Sequence, residues 1–179
     1  PHSGLFQWWS NRSDLMDATL TRSFDLSGVA SASLTFWTWY DLENGWDYAY
    51  VEVSTDGGKT WTTLPTRYTT SANPVGNNLG HGLTGKSGGD ETVKWVEDKA
   101  DLSPYVGKQI LIRFEYVTDD EVNKPGFCLD DISIPELNLM DDMESDQGWE
   151  AHGFVRSSNL IAQRYVLRLI TFHPEAKVT

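Results

Sequence analysis

The sequence has little from which a disulfide, a membrane span or a nucleic-acid surface could be built. Its single cysteine, Cys128, allows no disulfide within the 179 residues. No apolar run approaches the roughly 20 residues that cross a bilayer as a helix, so we expect no membrane insertion. Lys and Arg number 14 against 26 Asp and Glu, which gives a formal net charge of −12. Because contact with phosphates needs clustered basic side chains, this balance argues against a nucleic-acid partner.

The chain also lacks the motifs of common catalytic sites. It has no H-E-x-x-H pattern, no G-x-S-x-G elbow and no C-x-x-C pair, so we expect neither a zinc site nor an enzyme in this chain. Cys128 lies in an apolar run and is expected to be a buried, unreactive thiol. Asp130 and Asp131 are adjacent on a predicted strand, where neighbours point to opposite faces, so they cannot flank one glycosidic bond. The scattered histidines are His2, His81, His152 and His173.

Alternating runs of apolar and polar residues predict β-strands. The 8 Trp, 7 Tyr and 7 Phe, together with many Thr and Ser, are typical of strands rather than helices. Short strands separated by turn residues favour a sandwich, and we predict an all-β, antiparallel jelly roll. The predicted strands are Leu20–Leu26, Ser33–Tyr40, Tyr48–Ser54, with one apolar face and one polar face, Ile110–Val117 and Phe127–Ile134.

Other parts of the chain are less regular. The polar residues Thr66–Glu91 predict a long loop, and Val93–Val96 a short strand followed by a turn or single helical turn. Residues 1–136 are expected to form the sandwich. The acidic residues 137–179, with a strand-like run at Arg164–Phe172, are either the start of a second module or a C-terminal extension packed on the sandwich. Since the chain begins at Pro1, without an initiating Met or a signal peptide, we expect a piece of a longer protein.

The octapeptide Ser54–Trp61 fits the spacing S-x-D-x-G-x-T-W, which resembles the Asp-box hairpin of sialidases and reelin repeats. Asp56 can accept hydrogen bonds from the amides of its own loop, Gly58 supplies a positive φ, and Trp61 packs on the turn. A sialidase carries several such hairpins together with an arginine cluster and a tyrosine nucleophile. One copy therefore favours a structural role for the hairpin.

Acidic residues at strand ends suggest a calcium site. Adjacent carboxylates in an apolar strand are costly to bury unless a cation or hydrogen bonds compensate them, and an acidic loop elsewhere offers further oxygen ligands. Ordinary surface charge and backbone hydrogen bonds are an equal alternative, because no contiguous calcium loop is present. Asp14 and Asp17 are weaker candidates, and the acids between residues 141 and 146 are either linker charge or a second site. The main candidates are Asp41, Glu43, Asp47, Asp130 and Asp131.

Tryptophans near predicted loops could contact a glycan or a protein, since an exposed indole ring stacks on sugars and apolar groups. Trp8, Trp9, Trp46 and Trp95 occupy such positions. Packing in the core or against the hairpin accounts equally well or better for the other indoles, namely Trp37, Trp39 and Trp61.

Four long segments together resemble the region after the catalytic domain in the immune inhibitor A peptidases, the M6 metallopeptidases. They begin WSNRSDLMDATL, ASLTFWTWYDLENGWDYAYVEVSTDGGKTW, DLSPYVGKQILIRFEYV and GWEAHGFVRSSNL, in that order. The resemblance implies a MAM-like or reelin-like region of a secreted bacterial zinc endopeptidase, with calcium in its accessory modules. It also implies that the partner is the catalytic domain of the same polypeptide. Possible calcium ligands carry over to Asp41, Asp47, Asp130 and Asp131.

Three functions remain open from the sequence. The first is a non-catalytic accessory domain that supports the peptidase or positions protein substrates, and that is stabilised by calcium. The second is a carbohydrate-binding jelly roll that uses exposed aromatic side chains. The third is an extracellular adhesion domain in a protein without a peptidase.

Overall fold

Two antiparallel sheets of six strands each lie face to face. The computed structural model describes residues 1–89 and 91–160. The first sheet contains β1 (Gln7–Trp9), β3 (Ser33–Asp41), β7 (Val96–Asp101), β9 (Gly126–Ile134), β10 (Leu139–Asp141) and β12 (Val155–Ser157). The second contains β2 (Asp17–Asp25), β4 (Tyr48–Ser54), β5 (Thr62–Thr63), β6 (Gly82–Leu83), β8 (Gln109–Val117) and β11 (Glu150–His152). Single turns of 3₁₀ helix occupy Ser103–Tyr105 and Pro135–Leu137.

The strand order is that of a jelly roll, in which one long antiparallel hairpin folds over into two sheets. The strand pairs nest within one another along the chain: β4 with β5, β3 with β7, β2 with β8, and β1 with β9. The resulting neighbours are β1-β9-β3-β7 in the first sheet and β2-β8-β4-β5 in the second. This confirms the predicted all-β jelly-roll sandwich. Within the described residues, no helix is long and apolar enough to cross a membrane.

The core forms where the inward residues of the two sheets meet. In β3 the alternation predicted from sequence is present: Leu34, Phe36 and Tyr40 are buried, whereas the odd-numbered residues face outward. Phe36 meets Phe114 of β8 edge to face, with 5.1 Å between ring centroids. An edge-to-face aromatic pair stabilises a fold beyond the burial of its apolar area. This contact therefore helps to hold the two sheets together.

Strand β4 differs from its prediction because both of its faces are buried. The outward rings of Tyr48 and Tyr50 are covered by the segment between residues 66 and 89, which the sequence indicates only as a loop. The Tyr50 hydroxyl accepts a hydrogen bond from the Leu79 amide at 3.0 Å. Gly82 lies so close that a Cβ added there would be 2.6 Å from the Tyr48 ring. The prediction of a half-buried strand is therefore wrong, and the loop is the reason.

Strand β7 begins where the predicted strand Val93–Val96 ends. Its residues are mostly charged, but they alternate, with Asp98 and Ala100 buried between exposed neighbours. Asp98 accepts hydrogen bonds from the Thr66 hydroxyl at 2.5 Å and from the Arg67 amide at 3.1 Å. A buried carboxylate that is satisfied in this way can occupy a core position, which hydrophobic periodicity does not reveal.

A β-bulge in β9 changes which side chains share a face. Trp37 of β3 pairs with Asp130, whereas Thr35 pairs with Ser133, so β9 has one extra residue between the pairs. Asp131 adopts a φ of 46°. The bulge places Asp130 and Asp131 on the same outer side, where both contact His2. The prediction that they point to opposite faces is therefore wrong, because it assumed an unbroken strand.

The strands after Pro135 add to both sheets. β10 pairs with β9, β11 with β2, and β12 with β1. The buried Asp141 accepts a hydrogen bond from the Trp149 indole at 2.8 Å, and Glu144 accepts the amides of Leu5 and Phe6. These contacts tie residues 139–157 to the sandwich. The division at residue 136 stays a prediction, and the predicted strand Arg164–Phe172 lies outside the described residues.

Candidate metal centre

Three carboxylates meet beside the start of β4 and the end of β8 in the second sheet: Glu43, Asp47 and Asp119. The loop that joins β3 to β4 ends at Asp47, and Asp119 follows the end of β8. Tyr48 pairs with Val117 in antiparallel register, so the residue before β4 and the residues after β8 lie side by side. The sheet register therefore builds this cluster from segments about 70 residues apart.

Asp47 is the centre of the cluster and is fully buried. One of its oxygens, Oδ1, accepts the Asp119 amide at 3.1 Å, and the Tyr116 hydroxyl donates to Oδ2 at 3.4 Å. Its own amide donates to the Glu43 carbonyl at 3.0 Å. The Thr84 hydroxyl also donates to this carbonyl, at 3.1 Å. The loop is thus held in place around the carboxylates by backbone hydrogen bonds.

Burial, and after it the crowding of like charges, makes the ionised cluster unfavourable without a cation. Burial, together with the negative charges of Asp119 and Glu43, raises the pKa of Asp47 to about 6. Burial raises the pKa of Glu43 as well, with a further contribution from Asp119, although the charge of Lys124 opposes this. Within the described part of the chain, no ion pair involves these three carboxylates.

The geometry of the cluster fits a hard cation. One carboxylate oxygen of each residue lies within 4.8 Å of the others. Calcium binds oxygens at about 2.3–2.6 Å. Two oxygens on opposite sides of one calcium ion are therefore about 4.6–5.2 Å apart, which is close to the separation within this cluster. Three carboxylates can supply up to six oxygens if each binds through both, and calcium takes about six to eight. The residues present could therefore hold a divalent ion.

The other predicted ligands lie outside this group. Asp41 is the last residue of β3 and pairs with Gly126 of β9. Asp130 is fully buried and accepts the His2 and Ser3 amides at 2.7 and 3.1 Å. Asp131 lies 2.6 Å from His2 Nδ1 and accepts the Ser3 hydroxyl at 2.8 Å. These two aspartates fix the start of the chain on the first sheet.

The hairpin Ser54–Trp61 closes on Asp56. Its carboxylate accepts the amides of Lys59 and Thr60, each at 3.0 Å, and the Thr60 hydroxyl at 2.6 Å. These hydrogen bonds hold the pKa of Asp56 well below its usual value. The Ser54 hydroxyl accepts the amide of Gly58, which has a φ of 87°. All the polar groups of Asp56 thus serve the turn itself.

The tryptophans predicted to contact a glycan or a protein lie in different environments. Trp8 faces inward and packs against the core, whereas Trp46 is 46% exposed beside the carboxylate cluster. Trp9 and Trp95 line a pocket on the outer face of the first sheet, together with Trp39. For Trp39, packing was expected to account for the indole as well as or better than a contact role. Near the hairpin, the Arg113 guanidinium lies 3.8 Å from the centroid of the Trp61 ring.

The sequence did not indicate Asp119 as a ligand. It lies in VTDDE, at the end of the predicted strand Ile110–Val117, as one of several acids in a turn. Its partner Asp47 precedes a strand far away along the chain, and only the pairing of β4 with β8 joins the two. A prediction that β4 pairs with β8 would have placed Asp119 beside Asp47.

Comparison with known proteins finds similar regions in proteins named as bacterial proteases and as immune inhibitor A. The pre-pro-metalloprotease PrtV of Vibrio cholerae serotype O1 is 28% identical over 160 residues, which are 88% of this chain and 16% of that protein. Immune inhibitor A of Bacillus thuringiensis subsp. alesti is 30% identical over 162 residues, 88% of this chain and 22% of that protein. Bacillopeptidase F of Bacillus subtilis is 28% identical over 106 residues, 59% of this chain and 6% of that protein.

The chain therefore spans less than a quarter of the length of each of these relatives. A family model described as "Immune inhibitor A-like, MAM domain" matches residues 1–159. That range includes both sheets of the sandwich and the strands after Pro135. Because the match extends over most of its length, the chain belongs to the immune inhibitor A-like MAM domain family.

Proposed function

We propose that the chain is a non-catalytic accessory domain of a secreted bacterial zinc metallopeptidase of the M6 family. In this role it supports the catalytic domain of the same polypeptide or positions protein substrates. The observation that carries the proposal is the family match, because relatives named as a metalloprotease and as immune inhibitor A contain this region as 16% and 22% of their length. The rest of such a protein is large enough to hold a catalytic domain.

The chemistry of the reactive side chains supports a role outside catalysis. Burial raises the pKa of Cys128 to about 12, so the thiol keeps its proton at neutral pH and is a poor nucleophile. Among the described residues, the imidazole of His2 contacts the Asp131 carboxylate and that of His152 contacts the Glu150 carboxylate. The sequence contains no H-E-x-x-H pattern from which a zinc site of that type could be built.

Proteolysis assays and the upstream sequence test the accessory role. We expect the purified chain to leave casein intact, and the coding sequence upstream of it to contain an H-E-x-x-H motif. Casein cleavage by the purified chain that a zinc chelator abolishes would contradict the non-catalytic role. An upstream sequence without the motif would favour the adhesion alternative.

We also propose that Glu43, Asp47 and Asp119 bind calcium, and that the ion stabilises the domain. The support is a fully buried carboxylate with two further carboxylate groups at the spacing of oxygens around one calcium ion. The cluster joins the β3–β4 loop to the end of β8. An ion bound there would link the two segments and offset the repulsion among the three charges.

Thermal melting with and without a chelator tests the calcium site. An ion at about 100 times its dissociation constant stabilises a folded protein by about 2.7 kcal/mol. For a domain of this size we expect EDTA to lower the melting temperature by roughly 5–10 °C. Added calcium should reverse the loss.

Variants show whether the ion is bound where we propose. Asp47→Asn and Asp119→Asn should melt at the same temperature with and without EDTA. Glu97→Gln, which removes an exposed carboxylate from β7, should keep the full response to EDTA. An unchanged melting curve of the wild-type domain on chelation would overturn the calcium proposal, but not the accessory role.

A further inference from the structure

A pocket of about 700 Å³ opens on the outer face of the first sheet. Its lining includes three indole rings, those of Trp9, Trp39 and Trp95. Pockets that bind small molecules have volumes of about 300–1,000 Å³ and aromatic walls with a few polar groups. The pocket matches that description and lies on a different sheet from the carboxylate cluster.

The sheet register explains why the pocket forms. Trp9 of β1 and Trp39 of β3 both pair with Cys128 of β9, so the three residues form a row across adjacent strands. Directly paired residues share a face, and neighbouring strands are about 4.8 Å apart, so the two tryptophans stand about 10 Å apart with a small side chain between them. A flat ring in van der Waals contact with an indole on each side needs about 7–8 Å. The row therefore leaves a slot for one ring.

In the next row of the same face, a ring of the chain itself stacks on one indole. There the imidazole of His2 stacks on Trp37, with 3.6 Å between centroids and 11° between planes. The chain thus covers one indole with its own ring. No ring contact within residues 1–89 and 91–160 involves Trp9 or Trp39. The Trp9 indole is fixed by its hydrogen bond to the Pro125 carbonyl at 2.9 Å.

Polar groups at the pocket select the kind of ligand. Arg12 is the one charged residue in the described lining, although the whole chain carries a net charge of −12. Arg12 is exposed and makes no ion pair with any residue that the structure describes. The amides of Gln7 and Asn159 also line the pocket and hydrogen-bond to each other at 3.1 Å. An anion with hydroxyl groups suits this arrangement.

We propose that this pocket binds a carboxylated sugar, with one pyranose ring between Trp9 and Trp39 and the carboxylate at Arg12. The apolar C–H faces of a sugar ring lie against indoles, while its hydroxyl groups point outward to the amides of Gln7 and Asn159. The guanidinium supplies two parallel donors for the carboxylate. This function goes beyond the accessory and calcium roles and does not depend on either.

Isothermal titration calorimetry of the full chain tests the proposal. The probes are tri-galacturonic acid and its methyl ester, which has the same sugar backbone without the charges, and sialyllactose with lactose as its neutral counterpart. We expect at least one of the two acids to bind, and to bind more tightly than its neutral counterpart. Which acid binds distinguishes a uronic acid from a sialic acid as the source of the carboxylate.

Variants separate stacking from charge recognition. Trp39→Ala should weaken binding of the acid by about tenfold or more. If Trp39→Ala alters the melting temperature, the milder Trp39→Phe replaces it in the comparison. Arg12→Gln should remove the preference for the acid over its neutral counterpart. Trp46→Ala, which removes the exposed indole beside the carboxylate cluster, should bind like the wild type.

Three results would overturn the proposal. The first is no measurable heat with either acid. The second is binding that Trp39→Ala and Arg12→Gln leave unchanged. The third is binding of hexaglutamate at least as tight as that of the sugars, which would identify the pocket as a site for acidic peptides.

Discussion

The outer faces of the two sheets differ in how they are covered. On the second sheet, the segment between residues 66 and 89 lies over β4, so that Tyr48 and Tyr50 are buried on the side away from the core. On the first sheet, as far as the described residues go, the start of the chain lies over part of the face and a pocket opens at the row from Trp9 to Trp39. Both faces are rich in aromatic side chains. Whether such a face is structural or available to a ligand is decided by loops that hydrophobic periodicity does not describe.

Gly82→Val should disturb the covered face most. A Cβ at this position would lie 2.6 Å from the Tyr48 ring and 2.9 Å from the Tyr50 ring, so the segment must move away. We expect a loss of roughly 1–3 kcal/mol in the free energy of unfolding. The melting temperature, measured by scanning calorimetry, should fall by about 2–4 °C for each kcal/mol.

Gly28→Ala is the matched control, because a Cβ there has no atom within 4 Å and Gly28 needs no positive φ. Its melting temperature should stay within about 1 °C of the wild type. If Gly82→Val melts like this control, the segment does not pack tightly on β4, and the contrast between the faces is smaller than described.

Asp130→Asn should loosen the start of the chain on the open face. The carboxylate accepts three backbone amides, those of His2, Ser3 and Asp131, at 2.7, 3.1 and 2.8 Å. Since an amide side chain turns an N–H group towards one of these donors, we expect a cost of about 1–2 kcal/mol. Hydrogen exchange at the first residues, followed by mass spectrometry, should become faster.

Asp142→Asn is the control for this change, because Asp142 is exposed and accepts the Glu144 amide at 3.2 Å. It should leave exchange near His2 unaltered. Equal protection of the first residues in Asp130→Asn and the wild type would show that the aspartate does not hold the segment.

Glu52→Gln should stabilise the covered face in a pH-dependent way, with the smallest effect of the three. Burial, aided by the charge of Glu115, raises the pKa of Glu52 from 4.5 to about 7. An acid whose folded pKa is raised contributes stability below its unfolded pKa and loses it as the pH rises through the folded pKa. The variant should therefore melt about 2–4 °C above the wild type at pH 8, with no gain at pH 4.

Glu97→Gln provides the comparison, since Glu97 is exposed on β7. Melting curves across the pH range should coincide for this variant and the wild type. A gain for Glu52→Gln that is the same at pH 4 and pH 8 would attribute the effect to packing instead of to ionisation.

The sequence predicted the features that depend on residues close together in the chain. The two faces of β3 and the hairpin around Asp56 are of this kind, because each depends on residues within one strand or one turn. The buried outer face of β4 and the bulge at Asp131 were missed. They depend on a loop and on pairing with a distant strand, and neither leaves a periodic signal in the strand itself.

The same distinction applies to the candidate sites. Glu43 and Asp47 were predicted together because they lie in one acidic loop, whereas Asp119 is brought beside them through the register of β4 and β8. Trp39 was assigned to packing, although its alternation with Tyr40 places it on the outer face. Following each strand's outward residues across the sheet would have placed Trp39 beside Cys128.

The nested strand pairing has a consequence for how the domain folds during synthesis. The residues of β2 pair with those of β8, so that Asp17 meets Val117 only after the intervening chain has been made. Pairing of strands so distant in sequence is slow, because the chain loses conformational entropy on closing the long loop before the stabilising contacts between the strands can form. The first two strands therefore emerge long before their partners, and their unpaired edges are the part of the nascent chain most exposed to misassociation.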